Sequence, residues 1–265
     1  MVTKKCRDTR NALDTYPSKG RNTASNALSA TNCGPRAPRS NTHVTASYFD
    51  VDGTLVRTNL MHTAIYYMAN QINPLRSAKS LARLALRAPQ LIWSELRDRR
   101  TFNEQLFECF AGMSEDRLVC LADDTYNFAM KEALFTGARD LISRCKAEGH
   151  EVVLISGALD FLLERLAADL GADHWVGNRL EINDEHCTGK LVRPVVAGPT
   201  KARLIVEHAR TKGHDLAECF GYSDSYSDVP MLSVVGRPAA VNPDAALLRL
   251  AHAYQWPVIR LDKAA

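Results

Sequence analysis

Two carboxylates one residue apart, Asp50 and Asp52, close an apolar stretch that begins at Ala46. In an extended strand alternate side chains share a face, so both acids point to one side of the strand end. Held that close, they repel unless a cation or a shared proton relieves them. Hard oxygen ligands of this kind suit Mg²⁺. Gly53 lets the backbone turn tightly and offers an amide to an anion. Asp50-Val-Asp-Gly-Thr54 also suits an ordinary acidic turn after an edge strand, so its reading depends on what else converges there.

Three further places carry chemistry. Ser156-Gly157 ends the apolar run Val152–Ile155, where a hydroxyl beside a helix start makes either a phosphate cradle or a plain cap. Lys201 opens a helix after Gly198-Pro199, and a cation there opposes the helix dipole, which speaks against a purely local role. Gly198-Pro-Thr-Lys201 is no P-loop, because the Gly-x4-Gly-Lys-Ser/Thr spacing is absent. In Gly221-Tyr-Ser-Asp224-Ser-Tyr-Ser-Asp228, Asp224 falls at a strand end and Asp228 in the following turn, where either acid also serves as a helix cap.

The elements that must position these groups follow from periodicity. From Asn59 to Leu134 apolar residues recur at helical spacing, as in Leu60, Met61, Ala64, Ile65 and Met68, with Pro74 and Pro89 expected at helix boundaries. After residue 135 strands alternate with helices: helix 138–148 stopped by Gly149, strand 151–156, helix 159–170 stopped by Gly171, helix 200–212 stopped by Gly213, and strand 218–223. A helix near Pro230, a strand 239–241, a helix 245–253 and a strand 258–261 complete the series. Repeated βα units predict an α/β fold, a Rossmann-like parallel sheet with helices on both faces. The first strand precedes the helical block, so an all-helical insertion at 59–134 is expected to lie as a cap over the carboxyl ends of the strands. The core is expected at 45–58 and 135–265.

Residues 1–44 show no period and read as a disordered basic tail. Residues 1–45 hold eight Lys/Arg against two acids, so the net charge of +3 belongs to the tail and the remainder is acidic. This removes the case for nucleic acid as a partner. Seven widely spaced cysteines without Cys-x-x-Cys fit reduced thiols and a cytoplasmic compartment; an organelle is the alternative if the basic tail is a transit peptide. Residues 76–100 carry seven basic side chains against two acids, interleaved with leucines. They read as the solvated outer face of a helix, with attraction to an anionic substrate or an acidic lipid surface as the sharper alternative. His208 and His214, six apart, do not share one helix face and read as surface residues, and His174 as structural.

The chain order Asp-x-Asp, Ser, Lys, Asp-x3-Asp resembles the haloacid dehalogenase superfamily, and within it the phosphoserine-phosphatase-like branch, subfamily IB. Asp50-Val-Asp-Gly-Thr-Leu-Val56, Ile155-Ser-Gly157, Tyr222 to Leu232, Thr188-Gly189 in a flap-like segment and Val241-Asn-Pro-Asp244 carry the likeness. The resemblance implies a Mg²⁺-dependent phosphatase of a small phosphorylated metabolite. Asp50 would be the nucleophile and Asp52 the general acid and base. Gly53, Thr54, Ser156, Gly157 and Lys201 would hold the phosphoryl group. Asp50, Asp52 through its carbonyl, and Asp224 would bind the metal, with Asp228 orienting that set.

The chain departs from that branch where the substrate is read. Asn59 stands where phosphoserine phosphatases place a Glu for the amino group, the helix containing Phe102-Asn-Glu104 supplies no arginine between Leu106 and Phe110, and Ser227 replaces an Asn. The first two losses weaken phosphoserine as substrate, because an amino acid needs both charges paired, while Ser227 slightly alters the phosphate grip. Glycerol-phosphate or lipid-phosphate near a membrane, and a phosphotransferase of the same superfamily, are the alternatives. A dehalogenase is disfavoured by Asp52.

Overall fold

The computed structural model describes residues 45–71 and 73–261. The tail expected over 1–44 and the last four residues of the chain lie outside the described residues.

Strands β1 (Ala46–Phe49), β2 (Glu151–Leu159), β3 (His174–Asn178), β6 (Phe220–Ser223), β7 (Arg237–Val241) and β8 (Val258–Ile259) form one sheet in the order β3-β2-β1-β6-β7-β8. Every neighbouring pair is parallel. β4 (Leu180–Asn183) and β5 (His186–Leu191) form a separate antiparallel hairpin.

The sheet is covered on both faces, and strand alternation decides what each face buries. Ala46, Tyr48, Val153 and Ile155 pack with Ile205, Met231, Leu232 and Leu247, from helices α7 (Pro199–Lys212), α8 (Val229–Leu232) and α9 (Ala245–Ala253). Phe49, Val152 and Leu154 point the other way, against Ile142, Leu162 and Leu166 of α5 (Ala138–Ala147) and α6 (Asp160–Leu170). All four β1 residues are buried, as expected for the centre of a parallel sheet. The glycine stops hold: Gly171 and Gly213 adopt φ +70° and +79°, the left-handed conformation that ends a helix without a Cβ penalty.

Between β1 and α5 the chain is helical: α1 (Leu60–Ala69), α2 (Pro74–Arg97), α3 (Arg99–Phe107) and α4 (Glu115–Thr125). Pro74 opens α2, but Pro89 lies inside it rather than at a boundary. A proline costs one backbone hydrogen bond, and packing of Leu84 and Leu91 on either side of Pro89 keeps the helix continuous. β3 and the β4–β5 hairpin were not expected as strands, since His174-Trp-Val-Gly-Asn178 has no clean alternation. The last strand is shorter than expected and ends at Ile259.

The histidines depart from expectation most. His208 and His214 were expected as separate surface residues, yet their rings stack with centroids 5.7 Å apart, and His174 lies 5.4 Å from His208. The left-handed turn at Gly213 folds the chain back, so His214 N–H donates to Ala209 O. Spacing along an ideal helix does not apply across such a stop.

Candidate active site

β1 lies between β2 and β6, so the carboxyl ends of three adjacent strands bring Asp50, Ser156 and Asp224 to one crevice. From β1 the chain runs outward through β2 and β3, and from β6 outward the other way through β7 and β8, so the order reverses between β1 and β6, the situation in which parallel sheets open a binding crevice. Gly198 precedes α7 with φ +47°, and Pro199 fixes the first turn, which aims Lys201 into the same crevice.

Lys201 is the electrostatic hub. Its Nζ donates to Asp50 Oδ1 at 2.6 Å and to Asp228 Oδ2 at 2.7 Å, and all three side chains are at least nine-tenths buried. Ser223 Oγ also donates to Asp228 Oδ2, at 2.8 Å. Burial works against the Lys201 ammonium, but Asp228 and Asp50 overcome it and hold its pKa above the ordinary lysine value. Ser156 Oγ donates to Asp52 Oδ2 at 2.9 Å and accepts from Ala158 N–H at 3.0 Å. Burial, then the Asp50 charge, pushes Asp52 up to about 6 against that hydrogen bond. Burial and the charges of Asp50 and Asp228 push Asp224 up to about 8.

Two expected phosphate contacts are directed elsewhere. The Gly53 amide donates to Val56 O at 2.8 Å, and Thr54 Oγ1 donates to Asp224 Oδ1 at 3.1 Å. Both therefore build the loop and fix Asp224, and neither lines the cavity. The tight turn after a strand spends its own donors on closure, which the motif by itself does not reveal. Gly157 does line the cavity, and a Cβ there would meet Asn103 Nδ2 at 2.7 Å.

The helical insertion contributes Asn59, Leu60, Arg99 and Asn103 to the walls of this cavity. Arg99 was expected on a solvated outer face; instead it feels Asp50, Asp52 and Asp228. Burial works against its charge, and these three acids, together with Glu95, which accepts from Arg99 Nη1 at 3.1 Å, more than offset that cost. Arg99 sits one residue past Asp98, which ends α2 and caps α3, so the phase of the basic stretch is broken there. The Asp98-Arg-Arg-Thr101 break was the one signal able to find it. Asn59 Oδ1 accepts from Met61 N–H at 3.1 Å and caps α1, so no carboxylate stands there to pair an ammonium. Asp244 N–H donates to Asp224 O at 2.8 Å while its Oδ2 accepts from Tyr226 N–H at 2.9 Å, which clamps the loop from 224 to 228. The cavity is narrow, about 20 Å³, room for about one water.

Similarity to known proteins covers most of the chain. Residues 48–233 match the model of the haloacid dehalogenase-like hydrolases. An inhibition of morphological differentiation protein of Streptomyces azureus is 33% identical over 220 residues, 81% of this chain and 78% of that one. A phosphoserine phosphatase of Mycobacterium tuberculosis is 31% identical over 214 residues, 80% of this chain and 70% of that one. A Bordetella pertussis protein of unknown function shares the fold with TM-score 0.70 at 23% identity, over 82% of this chain and 99% of that one. A phospho-aspartyl intermediate analogue of phosphoserine phosphatase gives TM-score 0.61 at 17% identity, over 84% and 95%. The chain belongs to the haloacid dehalogenase-like hydrolase family, as a phosphoric monoester hydrolase of its phosphoserine-phosphatase-like branch.

Proposed function

We propose that the chain hydrolyses a small phosphate monoester carrying a second anionic group, through a phosphorylated Asp50. The observation that carries this reading is the buried Lys201 ammonium held between Asp50 and Asp228. A lysine so placed neutralises charge where one anion must attack another.

The donor set fits a hard divalent cation. Asp50, Asp224 and Asp228 crowd one buried crevice, and burial, then the charges of Asp50 and Asp228, push Asp224 up to about 8, a strain that a cation would relieve. Asp50, Asp224 and the Asp52 carbonyl would hold Mg²⁺, which when bound adds positive charge at the phosphoryl oxygens.

Asp50 attacks phosphorus, forming an acyl phosphate as the bond to the leaving oxygen breaks. Asp52 gives its proton to that oxygen, and Ser156 orients the carboxyl that does so. Asp52 then takes a proton from the water that attacks the aspartyl phosphate, which releases phosphate and restores Asp50. Lys201 keeps the Asp50 oxygen aligned throughout. The narrowness of the cavity supports reading the helical insertion as a cap that shifts to admit substrate.

Arg99 supplies the cation that reads the distal anion, and Asn59 offers no charge for an ammonium. Phosphorylated carboxylic acids without an amino group are therefore favoured over phosphoserine. A phosphate-release screen over phosphorylated acids with Mg²⁺, comparing wild type with Asp50→Asn, tests the reading. The expected loss is on the order of 10³-fold or more, as for other covalent nucleophiles. Equal release by the two proteins would overturn it.

One observation favours a second reading, lipid-phosphate hydrolysis at a membrane. Leu75, Leu86 and Trp93 are exposed along one side of α2, with Lys79 and Arg97 beside them, and Arg97 stacks 4.3 Å over the Trp93 ring. Such a stripe suits an acidic lipid surface. No helix among the described residues is long and apolar enough to cross a membrane. Salt-sensitive co-sedimentation with phosphatidylserine vesicles, lost in Trp93→Ser, is the expected result; equal sedimentation by the two proteins removes this reading.

A further inference from the structure

At the other end of the sheet lies a cluster that the proposed reaction does not use. Glu151 opens β2, five residues before Ser156, so the two ends are separated by roughly 17 Å of strand. Glu151, His208 and His214 each present one donor atom, and these atoms all lie within 4.8 Å of one another. His174, first residue of β3, stands at the edge of this group of three: its Nε2 lies 2.8 Å from Glu151 Oε1. His214 Nε2 also contacts Glu151 Oε2, with the His214 side chain only 1% exposed.

His208 carries the argument. Its Nδ1 meets Tyr48 Oη at 3.2 Å, while its Nε2 is buried without a hydrogen-bond partner. A buried ring nitrogen with no partner is costly. Its neighbour nitrogen, fixed by a phenol, is the arrangement that directs an imidazole lone pair at a metal. Three imidazoles and one carboxylate are borderline donors in the number that a tetrahedral ion takes; Mg²⁺ and Ca²⁺ demand oxygen instead.

We propose that Glu151, His208 and His214 form a Zn²⁺ site that His174 completes once Lys212 withdraws from it, tying the amino ends of β2 and β3 to α7. Lys212 is the competitor. Its Nζ stands 2.9 Å from His174 Nε2 and 3.4 Å from Glu151 Oε1, but 40% of its side chain is exposed, so it moves to water when the ion enters. The site is structural in role: its four ligands leave no open position for a reacting water.

The test is a Co²⁺ titration of the chelator-treated full-length chain in saturating Mg²⁺, which fills the carboxylate site first. One equivalent of tetrahedral cobalt absorption is expected, displaced by one equivalent of Zn²⁺. His208→Gln abolishes it, and Tyr48→Phe weakens Zn²⁺ by about 10-fold through the lost orientation of the ring. Phosphate release by His208→Gln at saturating Mg²⁺ stays at the wild-type rate, so failure here is distinct from failure of the catalytic reading. Wild type without the absorption overturns the proposal whether or not the variants fold. So does a sulfur-to-cobalt charge-transfer band, which assigns the ion to cysteine, or an absorption that survives in His208→Gln.

Discussion

Gly53 and Asp224 stand so close that a Cβ on residue 53 would fall 2.1 Å from Asp224 Oδ2. Gly53 also has φ +83°, where L side chains are strained. The glycine is thus what allows the carboxylate to reach the crevice. Gly53→Ala is expected to cost about 1–3 kcal/mol of stability. It should also lower kcat/KM by about 100-fold, the usual effect of misplacing a reacting group by an ångström. Thermal melting and steady-state assays on one preparation check both effects.

Asp52 is expected to act as a proton donor because burial holds it partly protonated near neutrality. With the carboxyl pushed up to about 6, the protonated fraction falls as pH rises through that value. Hydrolysis of an alkyl phosphate should therefore decline on the alkaline side, and Asp52→Asn should remove that limb. The variant should lose about 10²- to 10⁴-fold in kcat on alkyl phosphates. It should lose far less on 4-nitrophenyl phosphate, whose leaving group needs no proton. Equal losses on both substrates would reject this role.

Asp224 links metal to stability. Its folded-state value, about 8, lies above the unfolded carboxyl value of 3.8, so the folded state holds the extra proton. That contribution is complete below the unfolded value and is lost as pH rises through the folded one. Metal-free protein should lose melting temperature between about pH 4 and pH 8. Mg²⁺ should restore it, so the gap between melts with and without Mg²⁺ should widen with pH. Calorimetry across that range measures the gap, and a constant gap would reject the coupling.

Arg99 is expected to govern substrate choice. Arg99→Gln should raise KM for phosphorylated acids by about 10- to 100-fold, the worth of a hydrogen bond to a charged group. The KM for 4-nitrophenyl phosphate, which lacks a distal anion, should barely change. Arg99→Lys should recover part of the loss. A uniform effect across substrates would make Arg99 a packing residue.

Much of this molecule was readable because strand alternation and glycine stops act locally. Val152 to Ile155 could only be a buried strand, and Gly171 and Gly213 end their helices where a left-handed residue was needed. The α/β class and the meeting of Asp50, Ser156, Lys201 and Asp224 follow from such local signals plus the rule that parallel strands present their carboxyl ends together.

What escaped was fixed by contacts between distant segments. Arg99 reads as one more surface cation until the break at Asp98 turns α3 and brings it into the cavity that Asp50, Asp52 and Asp228 line. The amide of Gly53 reads as a phosphate donor until the loop closes on Val56. His174, His208 and His214 are scattered in sequence and joined only by sheet register and a helix stop. The helices and the strands β1, β2, β6, β7 and β8 could be read from residues a few positions apart, because their hydrogen bonds and apolar faces are set locally, whereas β3 and the β4–β5 hairpin could not. The tertiary structure alone decided which donors remain for a ligand, because that depends on which partners, far along the chain, have already taken the rest.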